Sequence, residues 1–358
     1  MNRNISKMIL ITEIIHASLA IVAIYCLHRV IQHFWYSKKA IHDDVNITPV
    51  PRDYNWREEK VAQYRPFKAQ YRETMNISKL THENWLVIDS DYDIITDYHK
   101  EVLEEHSEET CQALKTPQTS KASQELYDFT IATLVQRYPQ YFEDTGTKVI
   151  NKIKNREIPR KSITSGLSAG ELLRILCENT EEDFILLEYD PESSEYRLCA
   201  VAGVSSGGNL WISKLGKKMT DIHGPVPGYN EYLKFSMNKY FKKLKVGQWV
   251  QRITWFLQIA DSPYAEWMGK PNPVLSDEKV LDFDNEVFTR ITRQILTRLP
   301  KTSYLAFTQR TYLYPLSKVK SEGFAEVLRA NIETMPDDVG EYRGRTSWGE
   351  QVLGYLRS

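Results

Sequence analysis

A chain of 358 residues, 42% of them hydrophobic, can bury the core of one large domain or of two small ones. Its formal net charge of −1 leaves no basic footprint, so the composition gives no reason to expect a nucleic-acid partner. The four cysteines contain no Cys-x-x-Cys pair and no zinc-like spacing. They therefore predict free thiols and a reducing compartment, not a disulfide framework or a metal cluster.

The N-terminus contains a hydrophobic segment. Residues 8–27 read MILITEIIHASLAIVAIYCL, about the length of a helix that crosses a bilayer. Glu13 and His16 oppose this interpretation because a charge near mid-membrane costs roughly 2.5–3.5 kcal/mol, although Glu13 is close to one end. More Lys and Arg residues follow the segment than precede it. Residues 1–40 are therefore predicted to be a single-pass anchor with the bulk of the chain in the cytosol, at the endoplasmic reticulum or a similar membrane. The alternative is an amphipathic helix that lies on a membrane or a partner.

The segments that follow predict a linker and several helices. Residues 41–63 are polar and interrupted by proline, which is typical of a linker. Residues 123–142 carry apolar side chains at helical spacing, and Pro139 ends the pattern. Residues 168–179 predict a second amphipathic helix, and residues 230–243 predict a third.

The C-terminal half has the two-residue period of β-strands. Residues 183–190 and 195–204 flank a turn and predict a hairpin, and residues 286–299 and 303–314 predict another. Residues 249–259 alternate apolar and polar side chains, which predicts a further strand. Helices come first and mostly antiparallel strands follow, with one helical crossing between them. This order predicts an α+β fold.

Several phrases of this sequence resemble the haem-dependent oxidative N-demethylase alpha-subunit-like family. They occur in the family's order and cover roughly residues 64–316. The most distinctive are the His-x-Pro-Val-Pro loop at residues 223–227 and the Arg-x-x-Arg-Gln strand at residues 290–294. The phrases are YRPFKAQYRETMNI…NWLVIDSDY, ELYDFTIATLVQRYPQYF, EEDFILLEYD, KLGKKMTDIHGPVPGYNEYL, VQRITWFLQI and FTRITRQILTRLPKTSYLAFTQRTYLYPL.

Two segments depart from the family's pattern. Relatives usually carry Met-Gly-Leu where this chain has Met75, Asn76 and Ile77. Residues 204–217 lack the Phe-Pro-Ser-x-Trp form that the family leads us to expect. The second segment would help to shape the mouth of a pocket, so the departures bear on the identity of a substrate.

The resemblance implies a PAS-like antiparallel sheet with flanking helices that holds haem b, in a domain at residues 64–345 followed by a tail at residues 346–358. It also implies that electrons from NADPH arrive through a separate flavin and iron–sulfur reductase, and that the substrate is a small amine. The motifs of this sequence are consistent with a reductase on a separate chain. No Gly-x-Gly-x-x-Gly follows a strand, and no clustered cysteines are present, so neither a flavin or NAD site nor an iron–sulfur site is predicted in this chain.

His223 is the candidate ligand of the haem iron. It is the only histidine in the strand-rich part of the chain, and Pro225 and Pro227 stiffen the loop that follows it. A haem iron is commonly bound by a neutral imidazole whose other nitrogen is held by a second acceptor. By its residue type alone, a single loop histidine is more often structural. The match to the family's loop favours the role of His223 as a ligand of the haem iron.

Arg293 is the candidate catalytic arginine. It shares one strand face with Val287, Ile291 and Ile295, and a guanidinium that faces an apolar core needs an anionic partner. A haem propionate or a polarised oxygen species would serve, and a buried acid such as Asp183 would serve equally well.

Gln294 and Arg290 point to the opposite face of that strand. Gln294 is predicted to be catalytic and Arg290 to bind the cofactor only because both match the family's motif.

Five further residues are weaker candidates. Trp255 lies on the apolar face of its strand and is predicted to contact the cofactor, with plain core packing as the simpler alternative. Lys214, with Lys217 and Lys218 beside it, would contact propionates at the pocket edge unless this is a solvated basic loop. Tyr312 is a candidate of the same kind as Trp255.

The sequence therefore favours a haem-dependent monooxygenase that demethylates a small amine with O₂. A haem sensor or carrier of the PAS type without turnover is the first alternative, and a haemless interaction protein is the second. The sequence contains no His-Glu-x-x-His or P-loop motif, so it does not favour a zinc-dependent hydrolase or a nucleotide-triphosphatase.

Overall fold

A computed structural model describes residues 46–205, 208–264 and 279–358, without the side chains of residues 208–210. Within these ranges no helix combines the length and the apolar character that a bilayer span requires. The predicted anchor at residues 1–40 lies outside the described residues, so it stays a prediction.

The fold is α+β, as predicted, and its centre is a seven-stranded antiparallel sheet. The strand order is β1-β8-β9-β10-β6-β7-β2, and β3, β4 and β5 form a separate small sheet. The strands are β1 Ile77–Leu80, β2 Cys111–Ala113, β3 Phe142–Asp144, β4 Lys148–Asn151, β5 Arg156–Pro159, β6 Asp183–Asp190, β7 Glu195–Ala202, β8 Trp249–Ile259, β9 Val287–Arg298 and β10 Leu305–Pro315. Both predicted hairpins and the predicted strand at 249–259 are confirmed.

The helices flank the sheet, and the three predicted helices are confirmed within a few residues. The helix predicted at 123–142 begins earlier, where Pro117 occupies its first turn and Thr116 caps it, and it ends before Pro139. The helices are α1 Tyr92–Glu105, α2 Ser107–Thr110, α3 Pro117–Arg137, α4 Ser162–Ser165, α5 Ala169–Glu178, α6 Gly208–Lys214, α7 Met219–His223, α8 Lys234–Lys243, α9 Leu316–Val319, α10 Ala325–Glu333, α11 Asp337–Tyr342 and α12 Arg345–Arg357, with a 3₁₀ turn at His82–Asn84 and π-helical turns at Tyr229–Leu233 and Lys320–Phe324.

One face of the sheet packs on helices α1, α3 and α5, and we call it the helical face. Leu186 and Ile295 from the strands join Leu126 and Leu173 from α3 and α5 in one buried cluster. The apolar stripe of α5 explains this contact, because its leucines recur at helical spacing and face the strands.

The opposite face, which we call the crossover face, is covered by residues 211–246, the connection between β7 and β8. Val250, Leu296 and Leu305 from the strands pack there against Met219 and Phe241 from the connection. Because side chains alternate along a strand, neighbouring residues of β8 and β9 enter different layers. Most side chains in both layers are buried or half-buried, so the polar residues of these strands need partners or ligands.

The C-terminal residues belong to the core, contrary to the tail predicted at 346–358. The side chain of Trp348 is 1% exposed, and Val352 and Leu356 are buried beside Ile291 of β9. Trp348 and Val352 lie four residues apart and therefore share one face of α12. The sequence pattern was too short and too interrupted by glycine for this helix to be predicted.

The predicted linker at 41–63 is also wrong for the part that the structure describes. The side chains of Ile47, Val50 and Trp56 are 6%, 6% and 3% exposed. The backbone N–H of Val50 donates to the carbonyl of Arg137 at 2.8 Å. Proline and polar residues marked an irregular segment correctly, but an irregular segment can still pack on a domain.

Replacing Trp348 with alanine tests the role of α12. We expect the free energy of unfolding to fall by about 3–5 kcal/mol, because a fully buried indole would be replaced by a cavity. Urea denaturation followed by circular dichroism measures the change. Glu350→Ala, at an exposed position of the same helix, should leave stability nearly unchanged. Equal effects of the two substitutions would mean that α12 does not stabilise the domain.

Candidate functional site

His223 is the last residue of α7 and lies in the crossover layer. Its Nδ1 is 2.9 Å from the carbonyl oxygen of Met219. A carbonyl can only accept a hydrogen bond, so Nδ1 carries the proton and donates it. Nε2 of the neutral ring is then an acceptor with a free lone pair, and no described residue forms a hydrogen bond with it. This is the arrangement expected of an imidazole that binds a metal through Nε2.

The surroundings keep this imidazole neutral. Burial lowers the pKa of His223 to about 4, and the positive charges of Lys214 and Arg252 lower it further, against the opposing hydrogen bond to the carbonyl of Met219. At neutral pH the ring therefore offers its Nε2 lone pair without first losing a proton.

The loop after His223 holds the ring in place. The ring of Tyr229, itself 1% exposed, stacks on the imidazole with centroids 5.0 Å apart and planes 20° from parallel. Gly228 turns the chain with φ of +72°, and a Cβ at this position would come within 2.9 Å of the Tyr232 ring. Glycine is therefore required here for both conformation and space. With Pro225 and Pro227 in the same loop, the position of His223 is well defined.

Two cations next to His223 have no acidic partner among the residues that the structure describes. Arg252 of β8 points to the crossover face, and its buried Nε has no hydrogen-bond partner. Its side chain forms no ion pair with any residue in the described ranges, although the charge of Glu73 acts on it. Burial lowers the pKa of Lys214 to about 8, with a further contribution from Lys217. Half-buried cations without an acid at ion-pair distance in the described ranges favour the binding of an anion at the site.

Gln294 is brought to the same place. It lies directly across from Arg252 in the register of β8 and β9, which puts their Cβ atoms about 4.5–5.5 Å apart on the crossover face. Its side chain is half-buried and makes no hydrogen bond with a described residue. The predicted site residues His223 and Gln294 therefore face one layer, and Arg252 is a neighbour of both.

A cleft of about 450 Å³ opens beside this layer. It is lined by the loop that carries His223, through Pro227, Gly228, Glu231 and Tyr232, by residues 71–73, and by Pro336, Asp338 and Val339. His223 itself does not line it. The volume is within the range of small-molecule sites. Glu73, Glu231 and Asp338 outnumber Arg72 in the lining, so the cleft is acidic.

Arg293 is not brought to His223. It points to the helical face, where it lies 3.5 Å from Glu182 and donates to the carbonyls of Trp85, at 3.1 Å, and Asn84. The structural alternative of a buried acid partner is therefore present, with Glu182 in the place of Asp183. Asp183 instead accepts hydrogen bonds from the backbone N–H groups of residues 204 and 205.

Arg290 lies on the crossover face, four residues from Gln294, but its donors are occupied. It donates to Gln258 Oε1 at 2.8 Å, to the Pro263 carbonyl at 2.9 Å, and to the Ser205 carbonyl. Burial lowers the pKa of Arg290 to about 10. The guanidinium joins three segments of the protein, and binding a cofactor would require some of these hydrogen bonds to break.

The other predicted residues divide between the two layers. Trp255 is on the helical face, where Phe67 packs edge-on at 5.4 Å, so the core-packing alternative describes its surroundings. Tyr312 is in the same cluster. Lys218 is 3.8 Å from Asp190, and Lys217 is exposed.

Comparison with known protein families gives one match. The family model described as "Haem-dependent oxidative N-demethylase, alpha subunit-like" matches residues 76–353. The chain belongs to this family. The match extends beyond residue 316, where the resemblance in the sequence faded, and it includes most of α12. It agrees with the structure, in which α12 is part of the core.

The residues of the crossover layer fit the group for which the N-demethylase family is named. Haem needs one nitrogen ligand for its iron and cations for its two propionates. His223 offers an unpartnered Nε2, and Arg252 and Lys214 are cations without an acidic partner. In the described residues, no three His, Cys, Asp or Glu side chains converge as they would around an ion held by protein ligands alone.

The departure at Asn76 has a conformational explanation. Asn76 has a left-handed backbone with φ of +46°, a region that glycine adopts freely and that asparagine tolerates better than other residues. Its side-chain amide donates to the Ile253 carbonyl at the open edge of β8. Asparagine is therefore compatible with the left-handed turn at this position.

The second departure, at 204–217, keeps a tryptophan. Trp211 is 8% exposed and belongs to the crossover cluster. A Cβ on Gly203 would lie 2.6 Å from its indole nitrogen, so the indole fits closely against this glycine.

Arg252 is the site residue that the sequence analysis missed. It stands in WVQRITWFLQI on the strand face opposite Ile253 and Trp255, which an isolated strand would expose to water. The only sign in the sequence that Arg252 is shielded from water was its position between Val250 and Thr254, in a strand flanked by other strands. The strand pattern does not show that residues 211–246 cover this face.

Glu182→Gln tests whether the carboxyl that faces Arg293 is buried as the structure places it. Burial raises the pKa of Glu182 from 4.5 to about 7, and Arg293 opposes the rise. Because the folded-state pKa is above the unfolded one, the folded protein binds the extra proton, and wild-type stability falls as pH rises through this interval. Glutamine stays neutral, so the free energy of unfolding of the variant relative to wild type should rise by up to about 3 kcal/mol between about pH 4.5 and 7. Urea denaturation at a series of pH values measures it, and a difference that does not change with pH contradicts the assignment.

Proposed function

We propose that this protein binds haem b through His223 and oxidatively demethylates a small N-methylamine, with electrons from a separate reductase. The observation that carries the proposal is the unpartnered Nε2 of a neutral imidazole beside two cations that lack acids, Arg252 and Lys214. The family membership supports the same cofactor and the same class of reaction.

In this proposal, each residue of the crossover layer has a defined task. His223 binds the iron through Nε2, and the Met219 carbonyl orients the ring. Arg252 and Lys214 neutralise the two propionates, which relieves the cost of burying their own charges. Gln294, next to Arg252, offers an amide that can donate to a polar ligand or to the substrate.

When bound, haem supplies the oxygen chemistry that hydroxylates an N-methyl carbon, after which the C–N bond breaks to give formaldehyde and the shorter amine. The acidic cleft beside the His223 loop is suited to hold the cationic amine. Glu73, Glu231 and Asp338 provide negative charge, and Tyr71 and Tyr232 provide aromatic faces for an ammonium group.

The PAS-like character expected from the family belongs to the proposal as well. The connection between β7 and β8 lies over one face of an antiparallel sheet, and a PAS-like domain holds a cofactor between such elements. The single-pass anchor at residues 1–40 and a cytosolic location of the bulk of the chain are proposed from the sequence alone.

The first test is haem binding by the full-length protein. We expect a Soret band with added hemin, and we expect His223→Ala to abolish it because the iron loses its protein ligand. His106→Gln removes another imidazole, one that stacks on Tyr264, and should retain the band. If the wild-type protein shows no Soret band, the monooxygenase and the haem sensor are both excluded, and the haemless interaction protein is the remaining candidate.

The second test concerns the propionates. We expect Arg252→Gln to weaken haem binding by about ten- to a hundredfold, the effect of losing one charge-assisted hydrogen bond of about 1.5–3 kcal/mol. Lys217→Gln removes an exposed cation from the same connection and is the matched control. Titration with hemin measures both. Equal affinities of the Arg252 and Lys217 variants would contradict the role of Arg252.

Catalysis is tested by formaldehyde release from mono-, di- and trimethylamine with NADPH and a surrogate reductase. Release that His223→Ala abolishes supports the demethylase. A haem-loaded protein that releases none from any of the three amines is a sensor or a carrier instead.

A further inference from the structure

The connection that carries His223 has a strongly positive net charge, whereas the chain as a whole is nearly neutral. Between residues 211 and 246 there are eight lysines and two acidic residues, a formal net charge of +6, whereas the whole chain has a net charge of −1. The lysines are Lys214, Lys217, Lys218, Lys234, Lys239, Lys242, Lys243 and Lys245. Such a concentration of one sign in one segment creates a positive field on one side of the molecule.

Helix α8 divides this connection into an inner and an outer side. Phe241 and the following Leu244 are 9% and 4% exposed and pack on the crossover face. On the other side, Phe235 is 75% exposed, and Lys239 and Lys243 follow it at spacings of four residues. Residues at this spacing lie above one another on a helix, so they form a continuous outward surface.

The outward lysines are not neutralised by the protein. Lys239, Lys242, Lys243 and Lys245 are exposed and form no ion pair with any residue in the described ranges. Lys234, closer to the body of the protein, differs because it lies 3.4 Å from Glu195.

The exposed phenyl ring adds an apolar contact to this charge. Lys239 Nζ lies 5.4 Å from the ring centre of Phe235. An exposed aromatic residue among unpaired charges is typical of a docking surface, where the ring serves as an anchor and the charges steer the approach. We call Phe235, Lys239, Lys242, Lys243 and Lys245 the basic face.

We infer that the basic face docks an acidic one-electron carrier protein. The inference rests on the proposed function. The carrier's chemistry follows from charge complementarity, and its location follows from the fold, since the same connection presents His223 on the inside and the basic face on the outside. With haem held by His223, each encounter would take one electron from the carrier and reduce the ferric iron to ferrous, and NADPH would restore the carrier through its own reductase. Electron-transfer contacts of this kind are small and weak, and they depend on long-range charge.

Binding of a carrier to the full-length protein tests the inference independently of catalysis. The probes are an acidic plant-type [2Fe–2S] ferredoxin and a flavodoxin, titrated by calorimetry into haem-free and haem-loaded protein at low and high salt. The variant reverses three charges of the basic face, Lys239→Glu, Lys242→Glu and Lys243→Glu. The control reverses three exposed lysines elsewhere, Lys60→Glu, Lys115→Glu and Lys121→Glu, so both proteins carry the same net charge.

We expect the basic-face variant to bind at least one carrier about tenfold more weakly at low salt than the control does, and we expect added salt to reduce this difference. In haem-loaded protein the rate of reduction by that carrier should fall in parallel, while reduction by dithionite stays unchanged. Phe235→Ala should weaken binding at every salt concentration, because it removes an apolar contact.

Three results would overturn the inference. The wild-type protein binds neither carrier, or the variant and the control bind a carrier equally weakly. In the third, the variant binds the carriers as well as the control does but no longer binds phosphatidylserine vesicles. The last result would make the basic face a membrane contact. A wild-type protein that binds a carrier through this face but never takes up haem would contradict the proposed function alone.

Discussion

Both faces of the central sheet are buried, so consecutive residues of one strand enter different layers. Arg293 enters the helical layer, where Glu182 and two carbonyl groups bind its guanidinium. Gln294 enters the crossover layer, where it lies across from Arg252. If water covered one face, the polar residues on that face would simply be hydrated. Because both sides are covered, the Arg293–Glu182 ion pair lies in one layer. The polar groups of Gln294 and Arg252, which have no acidic partner among the described residues, lie in the other.

The two layers treat charge differently. In the helical layer, Arg310 is paired with Asp89 at 2.9 Å and with Glu181, and Arg293 with Glu182, so the buried charges neutralise one another. In the crossover layer, Arg252 and Lys214 have no acid within ion-pair distance among the described residues. A buried cation without a counterion is costly to the folded protein, and a bound anion removes that cost. This contrast points to the crossover layer as the binding layer.

His223 and the basic face belong to one short connection between β7 and β8, and this links the proposals on cofactor and partner. The inner side of the connection is held to the sheet by Met219 and Phe241. Its outer side presents Phe235 and unpaired lysines to solvent. A single segment can therefore position an iron ligand and receive a protein partner, because the two functions use opposite sides of the same backbone.

The sequence by itself determined the α+β class, both hairpins, the strand at 249–259 and the helix faces, because these depend on local periodicity and on short motifs. It also placed Arg293 correctly on the apolar face of its strand. Only the tertiary structure decided that Glu182 pairs with that arginine, that Arg252 is half-buried beside His223, and that residues 46–63 and the C-terminal helix complete the core. Each of these depends on which distant segment covers a given face. The period of a strand defines two faces, but the segments that cover them come from elsewhere in the chain.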